Sequence, residues 1–97
     1  MEGKIKYEFT AEIWKHGFGW YFVSLPIVMS AEIRQHLRWQ EEGWGRLKAT
    51  AQIGTTQWQT AIWFDTKNST YLLALKADIR KKEKLEMGQN SNVTIWV

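Results

Sequence analysis

The chain has 97 residues, of which 44% are hydrophobic and 24% are charged, with no cysteine and a net charge of +3. This composition predicts one globular domain over residues 1–97 and excludes a disordered chain, a disulfide scaffold and a thiolate metal site. No apolar run approaches the ~20 residues that span a bilayer, and the first residues carry no hydrophobic signal region. We therefore expect a cytoplasmic protein without membrane contact.

Six segments carry the patterns that are typical of β-strands. Residues 5–13 alternate apolar and polar side chains, which indicates a strand with one buried face. Residues 15–19 have the composition of a turn that follows this segment, and residues 88–92 have the composition of a loop. The remaining predicted strands cover residues 20–25, 47–53, 57–64, 71–75 and 93–97.

Two short helices are predicted between the strands. Ser30 is a good N-cap for a helix over residues 30–40, and Ile33 and Leu37 lie on one face of it. A second, basic helix is predicted over residues 77–83. Short strands with regular turns and little helix are typical of an all-β domain. We predict a small closed β-barrel of six to seven strands, because closure removes exposed edges.

A four-residue pattern occurs twice, as Ala31-Glu32-Ile33-Arg34 and, 46 residues later, as Ala77-Asp78-Ile79-Arg80. Each copy follows an aromatic-led strand and precedes a loop and another alternating strand. This context predicts two related halves around a pseudo-twofold axis, with Arg34 and Arg80 at equivalent positions. The alternative is a coincidence of residues that suit a helix start.

Five patterned segments together form a recognisable combination: Phe9-x-Ala11-x-Ile13, Trp20-x-Phe22-Val23-x-Leu25-Pro26, Arg46-x-Lys48-x-x-Ala51-x-Ile53-Gly54, Tyr71-Leu72-Leu73-x-Leu75 and Ile79-Arg80 with Gly88. On these positions the chain resembles a bacterial domain-of-unknown-function family, number 1905, and its C-terminal half is similar to the AbrB-like and MazE-like swapped-hairpin proteins. The resemblance implies a double-split β-barrel in one chain and no catalytic residues. After Gly88 the chain departs from the family pattern, so the final hairpin is either longer or in a different register.

The residues that carry catalysis or metal binding are scarce in this sequence. The two histidines, His16 and His36, are not at ligand spacing, so we expect no metal and no other cofactor. No serine stands in a nucleophile elbow, so we predict no catalytic residue. A small enzyme with an open barrel pocket is the weakest of the functional hypotheses.

Seven tryptophans in so short a chain are the most unusual feature of the composition. Trp20 and Trp58 fit the inward faces of their strands. Trp14, Trp63 and Trp96 do not share the apolar faces of their strands. Tryptophan is enriched at binding hot spots. The predicted ligand- or partner-binding residues are Trp14, Trp63, Trp96, Trp44, Arg46, Arg34 and Arg80.

These observations predict a non-catalytic binding module for a small molecule or a protein partner. One expected partner is a second copy of the chain, bound through the aromatic patch. The second hypothesis is a DNA-binding regulator of AbrB-like descent, for which the basic side chains would contact phosphates. Acidic residues are interleaved with those bases, so we expect no sequence-specific binding to nucleic acid.

Overall fold

The computed structural model describes residues 4–97, in which seven strands surround a hydrophobic core beside two α-helices. The helices are α1 (Ile27–Leu37) and α2 (Ala77–Glu83), and two short 3-10 segments follow α1 at Arg38–Gln40 and Gly43–Gly45. The strands are β1 (Lys6–Glu12), β2 (Trp14–His16), β3 (Trp20–Ser24), β4 (Arg46–Ile53), β5 (Thr56–Asp65), β6 (Thr70–Ala74) and β7 (Asn90–Trp96).

The strands form one curled antiparallel sheet in the order β1-β7-β4-β5-β6-β3-β2. The sheet is an open half-barrel, so the prediction of an all-β fold is confirmed and the prediction of a closed barrel is wrong. Both edges come from consecutive strands, β1 and β2, which only Ile13 separates in the sequence. Because β1 pairs with β7 and β2 pairs with β3, this one stretch of chain is divided between the two edges.

Two strands differ from the sequence prediction. Residues 90–92 were expected in a loop, but they extend β7 because each pairs with a residue of β1. The Thr10 hydroxyl donates to Oδ1 of Asn92 at 2.5 Å within this ladder. Lys15 and His16 were expected in a turn, but they pair with β3 as part of β2. Residues typical of turns therefore lie in strands here, because pairing with other strands satisfies their backbone hydrogen-bonding groups.

Helix α1 begins three residues earlier than predicted, and Ser30 is not its N-cap. Pro26 precedes the first turn, where the fixed φ of proline is compatible with a helix start. Ser30 is fully buried, and its hydroxyl accepts the backbone N–H of Tyr71 at 3.0 Å. The serine therefore joins the helix to β6 and leaves the helix terminus uncapped.

The backbone pairings of the two halves of the chain mirror each other. The Leu25 N–H donates to the Tyr71 carbonyl at 2.9 Å, and the Leu75 N–H donates to the Tyr21 carbonyl at 2.8 Å. Each pair of corresponding residues is fifty positions apart. Strands β3 and β6 lie side by side, as do β4 and β7, so both pairs of corresponding strands are neighbours in the sheet.

The prediction that Arg34 and Arg80 are equivalent is wrong by one helical turn. The helices start after Pro26 and Lys76, a spacing of fifty, whereas the repeated tetrapeptides are 46 residues apart. The residue of α1 that corresponds to Arg80 is therefore Ser30. The Ser30 hydroxyl lies 3.5 Å from the carbonyl oxygen of the residue before Pro26, and Arg80 Nε donates at 3.1 Å to the corresponding carbonyl.

The core fills the concave side of the sheet. Ile33 of α1 and Ile79 of α2 are both buried against it. Trp20 was expected in the core but is 63% exposed, because Tyr21 and Val23 take the inward positions of β3. The buried hydrophobic residues of the strands are Phe9, Val23, Leu47, Ala49, Ala51, Ile53, Ala61, Ile62, Tyr71, Leu73, Val93 and Ile95.

Candidate ligand-binding cleft

A cavity of about 500 Å³ lies between α1 and the end of β5, and we name it the α1 cleft. Helix α1 and the residue after it provide one wall. Phe64 and the turn between β5 and β6 provide the other wall. The cleft is lined by Ile27, Ala31, Arg34, Gln35, Arg38, Phe64 and Ser69.

Arg34 lines this cleft and contacts an aromatic ring of its other wall. Its guanidinium carbon lies 3.7 Å from the centre of the Phe64 ring, which is close contact for a cation–π interaction. Phe64 in turn packs edge-on against Tyr71, with 5.1 Å between the ring centres. The Arg34 side chain is 23% exposed, so the charge is held at the base of the cleft and still reaches solvent.

Glu41 lies behind Arg34, in the loop that connects α1 to β4. The Tyr71 hydroxyl donates a hydrogen bond to Oε2 of Glu41. The same oxygen lies 4.0 Å from Nη1 of Arg34, which is too long for a hydrogen bond. Nη1 is buried and has no hydrogen-bond partner among residues 4–97. Glu41 is therefore committed to Tyr71 and does not fully engage the guanidinium.

The same contacts hold the Tyr71 hydroxyl in its protonated form. Burial raises the pKa of Tyr71 above its ordinary value of 10.0, and the hydrogen bond to Glu41 and the charge of that carboxylate raise it further. The positive charges of Arg34 and Arg38 act in the opposite direction. Tyr71 thus remains a donor to Glu41 throughout the physiological range.

Four large apolar side chains of α1 and of the segments that follow it are exposed. The exposed fractions are 63% for Ile27, 83% for Val28, 80% for Trp39 and 93% for Trp44. Trp44 also has a φ of 67°, in the left-handed region, which costs a residue other than glycine ~1–3 kcal/mol. Exposure and backbone strain together indicate that the fold itself gains little from these side chains.

The loop of Trp44 is pressed against the cleft wall. A Cβ atom at Gly45 would lie 3.1 Å from Cβ of Phe64, so the backbone there approaches the Phe64 side chain closely. Gly45 has a φ of 70° and supplies the conformation that the tight approach requires. The loop thereby brings Trp44 to the neighbourhood of Phe64 and Glu41 to that of Arg34.

Three of the residues predicted for binding form a row on the outer, convex face of the sheet. Arg46 pairs with Trp63 across β4 and β5, and Trp63 pairs with Leu72 of β6. Leu72 pairs with Ser24, whose hydroxyl accepts the indole N–H of Trp14 at 2.9 Å. The Arg46 guanidinium lies 5.8 Å from the Trp63 ring, and Trp63 is 39% exposed.

The other predicted residues lie apart from this row. Trp96 is half-buried on the outer face of β7, opposite Thr50 of β4. Arg80 lies 3.8 Å from the centre of the Tyr21 ring and is bound to a backbone carbonyl, so it supports the fold. Arg34 and Trp44 belong to the α1 cleft and its surroundings. The structure thus divides the predicted patch into two areas and two isolated positions.

The sequence did not single out several residues of the cleft. Arg38 lies four residues after Arg34, so helical periodicity could have placed the two cations on one face. Phe64, Tyr71 and Glu41 are widely separated in the chain, and only the fold brings them together. Among residues 4–97, no three His, Asp or Glu side chains meet where a metal ion could bind, and no helix has the length and apolarity to cross a membrane.

The fold and the cleft define a small, mainly antiparallel half-barrel protein with a cationic, partly apolar cleft at one end. The chain belongs to the family described as a domain of unknown function (DUF1905), which matches residues 9–95. The resemblance to that family is confirmed, and the relation to AbrB-like proteins stays a prediction. No curated protein matches the chain.

The Tyr71→Phe substitution tests the buried contact between Tyr71 and Glu41. We expect a loss of ~1–2 kcal/mol in the free energy of unfolding at pH 7, because a buried carboxylate loses its donor. In the parent protein, the raised pKa means that unfolding releases the Tyr71 proton above pH 10, so stability falls as the pH rises past that value. Urea unfolding from pH 7 to 11 should show the difference between parent and variant shrinking. A constant difference would contradict the contact.

Proposed function

We propose that this protein is a non-catalytic binding module that takes a small organic anion with an apolar portion in the α1 cleft. The observation that supports this most directly is the position of Arg34. Its guanidinium is stacked on Phe64 at 3.7 Å inside a cavity of about 500 Å³. A cation that is already oriented loses little side-chain entropy when it binds an anion.

The charge of the cleft favours an anionic ligand. Arg34 and Arg38 both line it, whereas Glu41, the nearest carboxylate to Arg34, accepts the hydrogen bond of Tyr71. A ligand carboxylate, sulfonate or phosphate would accept hydrogen bonds from the part of the Arg34 guanidinium that reaches solvent, since Glu41 lies on the side of the buried Nη1. Gln35 and Ser69 add neutral donors and acceptors at the edge of the same cavity.

The size and the apolar surroundings of the cleft favour a small molecule with a hydrophobic group. Ligand pockets generally have volumes of about 300–1,000 Å³ and are lined largely by apolar side chains. Ile27, Ala31 and the Phe64 ring provide such a lining. The corresponding start of α2 carries Ala77 and Asp78 in place of Ile27 and Val28. Exposed aliphatic side chains are therefore a feature of one half only, and the shared fold does not require them.

The finer description of the fold belongs to the same proposal. We interpret the sheet as a double-split arrangement of two related halves, supported by the reciprocal hydrogen bonds from Leu25 to Tyr71 and from Leu75 to Tyr21. In this interpretation the second half keeps the framework, whereas the first half carries the cleft. The hypotheses of an AbrB-like DNA regulator and of a small enzyme rank below the binding module, because the cleft offers an oriented arginine side chain and apolar walls.

The charge requirement is tested with the fluorescent probe 8-anilinonaphthalene-1-sulfonate, which joins a sulfonate to aromatic rings. We expect Arg38→Gln to raise the dissociation constant of the probe about fivefold, because a partly exposed charge–charge contact contributes ~1 kcal/mol. Lys82→Gln, on the exposed surface of α2, removes the same charge and should leave the constant unchanged. Equal effects of both variants would contradict the assignment of the cleft. So would amide NMR shifts, recorded as the probe is added, that do not include Gln35 and Ser69.

Trp44→Gly separates binding from folding. Glycine adopts a φ of 67° without strain, so the variant should be at least as stable as the parent in urea. If Trp44 closes over a bound molecule, the probe should nevertheless bind about threefold or more weakly, as expected for the loss of an aromatic contact. Unchanged affinity for the probe would remove Trp44 from the site. A large fall in stability would show that the ring has a structural role.

A further inference from the structure

A second cavity, of about 780 Å³, opens beside the β4–β5 hairpin, away from the α1 cleft, and we name it the β4 groove. Side chains of β4 and β5 line most of it, and Lys4 lies at its edge. Its polar lining residues include Lys4, Arg46, Lys48, Gln57, Gln59 and Thr60. No residue of this lining belongs to the α1 cleft.

The groove lies beside the β4–β5 hairpin, next to the part of β4 that does not pair with β7. Strand β4 pairs with β5 over its whole length, but it pairs with β7 only over residues 50–53. Residues 46–49 of β4 lie beyond this pairing, and Arg46, Lys48 and Ala49 of that part line the cavity. Residues 57–60 of β5, which pair with residues 49–52 of β4, line the rest of it.

We infer that the β4 groove is a binding site for a phosphate group. Three cationic side chains, Lys4, Arg46 and Lys48, line it, and within the described chain its lining includes no carboxylate. Glu42 binds Arg46 from outside the groove, which orients the guanidinium but leaves an excess of positive charge. A cavity lined by charge of one sign concentrates counter-ions of the opposite sign.

The neutral residues of the groove are also suited to a phosphate ester. Gln57 and Gln59, on the same outward face of the hairpin as Arg46 and Lys48, each provide an amide donor. Trp58 lines the same cavity, and its indole N–H is buried without a hydrogen-bond partner among residues 4–97. Cations would bind the charged oxygens of the ester, and amides would bind the polar groups of the remainder.

The other half of the chain provides a comparison for these cations. Strand β7 corresponds to β4, and the outward side chains of its first part are Asn90, Asn92 and Thr94. The outward side chains of the first part of β4 include Arg46 and Lys48 instead. The related half thus folds with neutral side chains on the corresponding strand, so the cations are not a requirement of the framework.

The test is a titration of the full chain with inorganic pyrophosphate at low ionic strength, followed by two-dimensional amide NMR. We expect saturable shifts of the Lys48, Gln57 and Gln59 backbone amide signals and of the Trp58 indole N–H signal. The indole signal is assigned by its absence from the spectrum of Trp58→Phe. Lys48→Gln should raise the dissociation constant about fivefold, as for the loss of one phosphate-contacting charge. Lys67→Gln, in the turn at the far end of β5, removes the same charge and should leave the constant unchanged.

Two further titrations distinguish the sources of the phosphate. Glucose 6-phosphate that binds where glucose does not would support a phosphorylated small molecule. A ten-nucleotide thymidine oligomer that binds the same residues more tightly, with a steep salt dependence, would support a nucleic-acid backbone. The inference is overturned if no ligand shifts the groove residues, if shifts centre on Gln35 and Ser69, or if Lys48→Gln and Lys67→Gln weaken binding equally.

Discussion

Tyr71 ties together four parts of the chain that are distant in sequence. Its carbonyl accepts the N–H of Leu25, its own N–H donates to Ser30 of α1, its ring packs on Phe64, and its hydroxyl donates to Glu41. These contacts fix the start of α1, the loop after it and the end of β5 relative to one another. Since Tyr71 is fully buried, its polar groups must all be satisfied internally. The position of the α1 cleft follows from this constraint.

The two halves of the chain make similar backbone hydrogen bonds but carry different side chains at matching positions. At the position where α2 carries Arg80, α1 carries the buried Ser30, and a different arginine, one turn further along, is stacked on Phe64. Arg80 is bound to a backbone carbonyl and covers Tyr21, so its donors are partly used by the fold. The displacement by one turn leaves Arg34 over the cleft. In the proposed interpretation of two related halves, the first half would carry the ligand-binding groups, whereas Arg80 in the second half makes contacts within the fold.

Much of the fold follows from local pattern, and the site does not. The alternation in residues 47–53 and 57–64 predicts β4 and β5 because one face of each strand is buried. Closure was mispredicted because the stretch through Ile13 is divided between two edges, and no periodicity reports that division. Trp20 was misplaced because β3 is apolar on both faces, so composition does not tell which face is inward. The grouping of Arg34, Phe64 and Glu41 depends on contacts between distant segments, which a single sequence does not encode in any local signal.

We propose that the Arg34 guanidinium is fixed over Phe64 before any ligand binds. Arginine side-chain NMR of the unliganded protein measures this directly, because a ring 3.7 Å from the guanidinium shifts its signals and restricts its rotation. We expect an upfield-shifted Arg34 Nε–H signal in slow exchange with water, lost in Phe64→Leu and retained in Trp44→Gly. An Arg34 signal at the position of a solvated arginine, averaged by fast rotation in the parent protein, would contradict the account.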